Sequence, residues 1–135
     1  MTQTSLPYSL ATTTRLPFAE TIERVRAELS TEGFGVLCDI DVAATLKAKL
    51  DVDVEPYTIL GACNPALAHR ALAAEPELGV FLPCNVIVYE RDGVTHVSAV
   101  DAARMLSLVG NDALDPIAEE VRDRLARVVD RLAQD

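Results

Sequence analysis

Two segments of this chain carry apolar residues at the spacing of an amphipathic helix. The first stripe comprises Phe18, Ile22, Val25 and Leu29. The second comprises Ile117, Val121, Leu125, Val128 and Leu132. Gly33 supplies a left-handed stop after the first stripe, and Asp115-Pro116 opens the second with a cap followed by a proline. The pattern therefore predicts a helix near each end of the chain.

Shorter apolar runs between these helices predict strands. We expect an edge strand at 8–14, strands at 34–40 and 57–63, and a hairpin that joins 79–90 to 94–100 through Arg91-Asp92-Gly93. Three short helices are predicted between them, at 42–50 after Asp41, from Pro65 to about 75, and from 102 to 108 after Asp101. Pro76 forbids continuation of the middle one.

The net charge and the length of the chain argue against some classes of function. Twelve basic and twenty-one acidic residues give a net charge of −9, and the acidic residues are spread along the chain. Such a surface repels phosphate backbones and anionic lipid, so we expect neither nucleic-acid binding nor membrane binding. The 135 residues, half of them hydrophobic, fit a single domain over 1–135 that needs no disulfide or structural metal.

The compartment is predicted from apolar runs and cysteines. No apolar run approaches the roughly 18 residues of a membrane span, and residues 1–5 lack the pattern of a signal peptide. We therefore expect a cytoplasmic protein. Three cysteines, an odd number in a reducing compartment, indicate free thiols first and disulfide partners second.

Two cysteines stand directly before an asparagine, in Cys63-Asn64-Pro65 and in Pro83-Cys84-Asn85. Asn64 is a good N-cap for the helix that begins at Pro65. A helix N-terminus favours thiolate over thiol, so Cys63 is a candidate nucleophile or ligand contact. The alternative is that Cys63 and Cys84 pack as small hydrophobic side chains, as free cysteines commonly do.

These motifs, with Gly33-Phe34-Gly35, Ala68-His69-Arg70 and residues 97–101, resemble the prokaryotic family catalogued as domain of unknown function 302. The resemblance covers roughly 18–132. It implies an α+β fold, with a curved antiparallel β-sheet of about five strands and helices packed on one face. This is the TATA-binding-protein-like arrangement, β-α-β4-α with extra short helices. The resemblance also implies a homodimer and no particular reaction, and Cys38 departs from the polar residue that would be more usual at its position.

In that antiparallel arrangement, the end of one strand and the start of the next lie at the same edge of the sheet. The resemblance therefore places Cys63 and Cys84, with Asn64 and Asn85, where they can face one another. His69, on the second turn of the following helix, is a candidate base or a solvated surface residue. His96 would line a groove on the sheet or lie on a plain exposed face. Two cysteines and one histidine are fewer than the four ligands of a structural zinc site, so we predict no metal site.

The leading hypothesis is a small homodimer that binds a compact or anionic small molecule at the edge formed by Cys63, Asn64, Cys84 and Asn85, with His96 as a further contact. The thiols would touch the ligand or respond to redox state. Common hydrolase, nucleotide-binding and zincin motifs are absent from the sequence, so no cofactor is assigned and enzymatic activity stays uncertain. A thiol-dependent enzyme would use Cys63 as nucleophile, Cys84 as resolving thiol and His69 as base. The third alternative is a purely structural or interaction dimer.

Overall fold

Six antiparallel strands form one sheet with helices packed on one of its faces. The computed structural model describes residues 4–133. The strands are β1 (Thr4–Leu6), β2 (Ser9–Thr14), β3 (Gly35–Asp41), β4 (Tyr57–Cys63), β5 (Cys84–Arg91) and β6 (Val94–Val100). The helices are α1 (Phe18–Thr31), α2 (Val42–Leu50), α3 (Pro65–Ala74), α4 (Ala102–Leu106) and α5 (Asp115–Ala133), with short 3-10 segments at Pro76–Phe81, Ser107–Val109 and Asp112–Leu114. The predicted α+β fold is confirmed.

The spatial order of the strands is β1-β2-β6-β5-β4-β3. The sequence prediction placed residues 8–14 at an edge of the sheet, and this is wrong. The three-residue strand β1 pairs outside β2, so the two edges are formed by β1 and β3. Asp92 and Gly93 adopt φ of 52° and 78° in the predicted turn between β5 and β6, the left-handed conformation that a two-residue hairpin loop requires.

The core lies between the sheet and the two long helices. Val25 and Leu29 of α1 and Leu125 and Val128 of α5 are fully buried, in agreement with the two apolar stripes. Burial alternates along the central strands, so every second residue of β5 and β6 joins this core. The remaining residues point to the opposite side.

We call that opposite side the open face. Its residues follow from the strand register and include Ala11, Thr13, Cys38, Ile40, Tyr57, Ile59, Gly61, Asn85, Ile87, Tyr89, Arg91, His96, Ser98 and Val100. The core is supplied from the other side by helices α1, α3, α4 and α5, whereas α2 buries no residue. Most of the open face is half-exposed.

A network of charged side chains ties the end of α1 to α5. The Glu32 carboxylate lies 3.0 Å from Arg127 Nη2 and 2.7 Å from Arg131 Nη2. Arg124 Nη1 donates to the Glu32 carbonyl at 2.9 Å. These guanidinium groups lower the pKa of Glu32, chiefly through the hydrogen bond from Arg127. The network therefore links the C-terminal end of α1 to α5.

Candidate functional site

An apolar cavity of about 270 Å³ lies where β4 ends and β5 begins. Its walls are formed by both strands, by β3, by helices α3, α4 and α5, and by the 3-10 segment Pro76–Phe81. The lining residues are Phe34, Leu37, Ala62, Cys63, Asn64, Leu67, Ala68, Ala71, Leu72, Leu78, Leu82, Pro83, Cys84, Ala102, Leu106, Ile117 and Val121. None of them carries a formal charge at neutral pH, so the cavity is suited to an apolar ligand.

Cys63 and Cys84 both line this cavity. Cys84 pairs across the sheet with Ala62, the residue directly before Cys63. Both are lining residues, no disulfide joins them, and all three cysteines are free. Cys63 is half-buried, and Cys84 is buried. Cys84 is therefore the less accessible of the two residues.

Burial raises the pKa of the Cys84 thiol from 9.0 to about 11, and the neighbouring Cys63 adds to the shift because two thiolates would repel. At neutral pH Cys84 is consequently protonated and weakly nucleophilic. This environment suits a packing or ligand-contacting thiol better than a resolving thiol, which must attack as the thiolate.

Asn64 caps the helix that follows Cys63. Its Oδ1 accepts a hydrogen bond from the Leu67 amide at 3.2 Å, and its side chain is buried at the cavity wall. Pro65 has no amide hydrogen to offer. The cap therefore leaves at most the Ala66 amide for an external anion in the first three positions of α3. An anion would find a poor site there.

The entrance of the cavity is marked by exposed lining residues. Leu37 of β3 is 69% exposed and Leu72 of α3 is 38% exposed, although both line the cavity. Ala68 and Pro83 are half-buried lining residues. The pairing of β3 with β4 shifts register between Val36 and Cys38, so Leu37 sits in a bulge at this rim.

The structure does not bring all the predicted site residues together. His69 is exposed on α3 and is not among the lining residues. Asn85 and His96 lie on the open face, across the sheet from the cavity. The predicted site of Cys63, Asn64, Cys84, Asn85 and His96 is therefore divided: the first three line the cavity, and the other two do not.

Many of the residues that line the cavity could not be identified as site residues from the sequence. Leu78 belongs to the 3-10 segment Pro76–Phe81, Leu106 to α4, and Ile117 and Val121 to α5. The helical stripe of α5 predicted that the last two would be buried. It did not indicate that they meet residues from β4 and β5.

Two other kinds of site are absent from the described part of the chain. Within residues 4–133, no group of three or more His, Cys, Asp and Glu side chains is arranged to hold a metal ion. Over the same range, no helix has both the length and the apolar character that crossing a bilayer requires.

Comparison with known proteins identifies the family to which this fold belongs. The sequence profile described as "Domain of unknown function DUF302" matches residues 10–132. The chain belongs to the DUF302 family. A crystal structure of an uncharacterized conserved DUF302 protein from Bacillus stearothermophilus superposes with a TM-score of 0.86 at 34% sequence identity. The match covers 92% of this chain and 97% of that chain, so the DUF302 fold accounts for nearly all of both. No curated protein matches this DUF302 chain.

Proposed function

We propose that this DUF302 protein is a binding module for a compact apolar small molecule, held in the cavity between β4, β5 and α3. The observation that carries the proposal is a cavity of about 270 Å³ whose lining residues are all uncharged and almost all apolar. An apolar cavity of about 150 Å³ stays dry and binds benzene, so this one has room for a somewhat larger molecule.

The chemistry of the wall favours an apolar ligand over an anion. Asn64 uses its side-chain oxygen to cap α3, and Pro65 offers no amide hydrogen. No lysine, arginine or histidine lines the cavity. An anionic ligand would lose its hydration without gaining a charged partner, which is costly in an apolar site.

The two thiols have different parts in this proposal. Cys63 is half-buried and lines the cavity, so it would touch the ligand directly. Cys84 is buried and protonated at neutral pH, so it would serve as a polarizable part of the wall. We do not favour the thiol-dependent enzyme, because His69 is exposed outside the cavity and no base lines it.

A cavity-filling variant tests the proposal. Ala68→Leu would place three additional carbon atoms at the cavity entrance, whereas Ala73→Leu adds the same atoms on an exposed part of the same helix. Toluene and 1-octanol would be titrated separately into each protein and followed by two-dimensional amide NMR. We expect saturable shifts at Ala62, Leu67 and Cys84 in the wild type and in Ala73→Leu, and at least a tenfold weaker affinity in Ala68→Leu.

Two results would contradict the proposal. One is the absence of saturable shifts with either probe in a folded wild-type protein. The other is equal affinity in the Ala68→Leu and Ala73→Leu variants, which would place the binding elsewhere.

We also propose the cytoplasm as the compartment of this protein. The support is that its three cysteines are free thiols, the state that a reducing compartment maintains.

A further inference from the structure

A cleft of about 610 Å³ lies at the opposite end of β5 from the apolar cavity. It is bordered by the last residues of β2, by the turn that leads into α1, and by the hairpin between β5 and β6. Its lining includes two charged residues, Arg15 and Glu90, and three threonines. The cleft is therefore suited to a polar ligand, in contrast to the cavity.

The strand register shows how the two charged residues reach this cleft. Thr14, Thr95 and Glu90 form one row across β2, β6 and β5, on the helix side of the sheet. Neighbouring strands lie about 4.8 Å apart, so the backbones at Thr14 and Glu90 are separated by about 10 Å. Arg15 directly follows Thr14. The guanidinium and the carboxylate thus approach the cleft from opposite sides of β6.

Neither charged group has a partner in the part of the chain that the structure describes. There, no ion pair and no side-chain hydrogen bond engages the carboxylate of Glu90 or the guanidinium of Arg15, and the two do not pair with each other. Glu32, by contrast, binds both Arg127 and Arg131. Glu90 is half-buried, so its carboxylate has lost part of its hydration and gains from a cation that reaches it.

The wall of the cleft beside Arg15 is already ordered. The Leu16 amide donates to Thr14 Oγ1 at 3.3 Å, and Thr95 Oγ1 donates to the Leu16 carbonyl at 3.0 Å. These hydrogen bonds tie the turn before α1 to β6, so a ligand need not order this segment when it binds. Leu16 and Val94 also line the cleft and offer apolar contacts for methylene groups between two charged ends.

We propose that this cleft binds a compact zwitterion, an amino acid whose ammonium and carboxylate groups are separated by a short methylene chain. Glu90 accepts hydrogen bonds from the ammonium group, and Arg15 donates two parallel hydrogen bonds to the carboxylate. A simple cation would leave Arg15 unpaired. A simple anion would be repelled by the net charge of −9, whereas a zwitterion carries no net charge. The proposal does not depend on the ligand of the apolar cavity.

Three probes with five-carbon chains test the proposal in the wild-type protein. 5-Aminopentanoate carries both charges, pentanoate only the negative one, and pentylamine only the positive one. Each is titrated at constant pH and ionic strength and followed by two-dimensional amide NMR. We expect saturable shifts at Leu16, Gly93 and Thr95 with 5-aminopentanoate. Its affinity should be at least tenfold higher than that of either other probe, because each of these lacks one charge-assisted contact.

Two substitutions assign the contacts. Glu90→Gln and Arg15→Gln each remove one charge from the cleft, and each should weaken the binding of 5-aminopentanoate at least tenfold. The matched controls are Glu77→Gln and Arg70→Gln, which remove the same charges at exposed positions on the 3-10 segment Pro76–Phe81 and on α3. Both controls should keep the wild-type affinity, which excludes an effect of net charge alone.

The absence of saturable shifts with 5-aminopentanoate in the folded wild type would overturn the proposal. Equal affinity for the three probes would do the same, as would a folded Glu90→Gln or Arg15→Gln variant that binds 5-aminopentanoate as tightly as the wild type. The comparison of probes needs no substitution, so it decides the matter even if Glu90→Gln fails to fold.

Discussion

Gly61 lies directly beneath the sulfur of Cys38 on the open face of the sheet. A Cβ atom placed at position 61 would be 2.5 Å from Cys38 Sγ and 2.8 Å from Pro83 Cγ. Carbon and sulfur atoms do not approach so closely without displacement. The absence of a side chain at Gly61 therefore allows Cys38 of β3 and Pro83, the residue before β5, to pack closely against β4.

We expect Gly61→Ala to destabilise the protein by about 1–3 kcal/mol, the usual cost of overpacking. Both neighbours would have to move, and the proline is stiffer than the cysteine. Urea unfolding followed by circular dichroism measures the change. Gly79→Ala is the control, because a Cβ there meets nothing within 4 Å. In a Cys38→Ala background, the cost of Gly61→Ala should fall but not vanish, since Pro83 remains. An unchanged cost would show that Cys38 is not part of the obstruction.

The Glu32 network predicts a loss of stability in acid. The folded-state pKa of Glu32 is lowered from 4.5 by Arg127 and Arg131, so its contribution is complete above pH 4.5 and disappears as the pH falls through the folded value. We expect Glu32→Gln to lose about 1–3 kcal/mol at pH 7, the range for a hydrogen bond to a charged group.

The difference between Glu32→Gln and the wild type should shrink as the pH falls below the ordinary pKa of 4.5, because the carboxylate of Glu32 progressively takes up a proton. Urea titrations at pH 7 and pH 3.5 give the two free energies of unfolding. Glu77→Gln, at an exposed position, should change neither. A pH-independent difference for Glu32→Gln would mean that the shape of the residue, and not its charge, is what matters.

Thiol reactivity should follow burial. Cys84 has its pKa raised from 9.0 to about 11, so at pH 7.5 its thiolate fraction is about a hundredfold below that of an ordinary cysteine. We expect iodoacetamide to alkylate Cys84 at least a hundredfold more slowly than the exposed Cys38. Peptide mass spectrometry after timed quenching gives each rate.

Unfolding in urea should abolish the difference between Cys84 and Cys38, which serves as the control. Comparable rates in the folded protein would mean that the wall of the cavity opens readily. The same experiment measures Cys63. Faster alkylation of Cys63 than of Cys38 would support the activated thiol that its position before α3 predicts.

The cap of α3 should contribute measurably to stability. Asn64→Ala removes the acceptor of the Leu67 amide and leaves that amide buried, so we expect a cost of about 1–2 kcal/mol. Asn64→Asp keeps an acceptor oxygen and should cost less. Thermal and urea unfolding of both variants measure this order. Equal losses would show that the acceptor oxygen of the cap is not what Asn64 contributes to stability.

Local chemistry made several elements predictable. The bounds of α2, β4 and β6 were predicted to the residue, because a cap or a turn marks at least one end of each. The start of β5 was misplaced by five residues, since Gly79 to Phe81 belong to a 3-10 segment. Leu78 and Phe81 pack against the core from a helical turn, and a short apolar run does not distinguish such a turn from a strand.

The candidate site was predictable only in part, for a different reason. The alternation of β5 assigns Cys84 and Asn85 to opposite faces, but the sequence does not say which face the helices cover. The prediction therefore grouped Asn85 with Cys84 through their adjacency in the chain. The cavity itself depends on Ile117 and Val121 arriving from α5, a tertiary contact that local periodicity does not encode.

The bulge at Leu37 has a consequence for how this molecule meets its surroundings. Leu37 belongs to the outermost strand on its side of the sheet and also flanks the way into the cavity. A foreign strand aligned beside β3 would necessarily lie against that leucine. Whatever lengthens the sheet on this side would thus also narrow the entrance of the cavity.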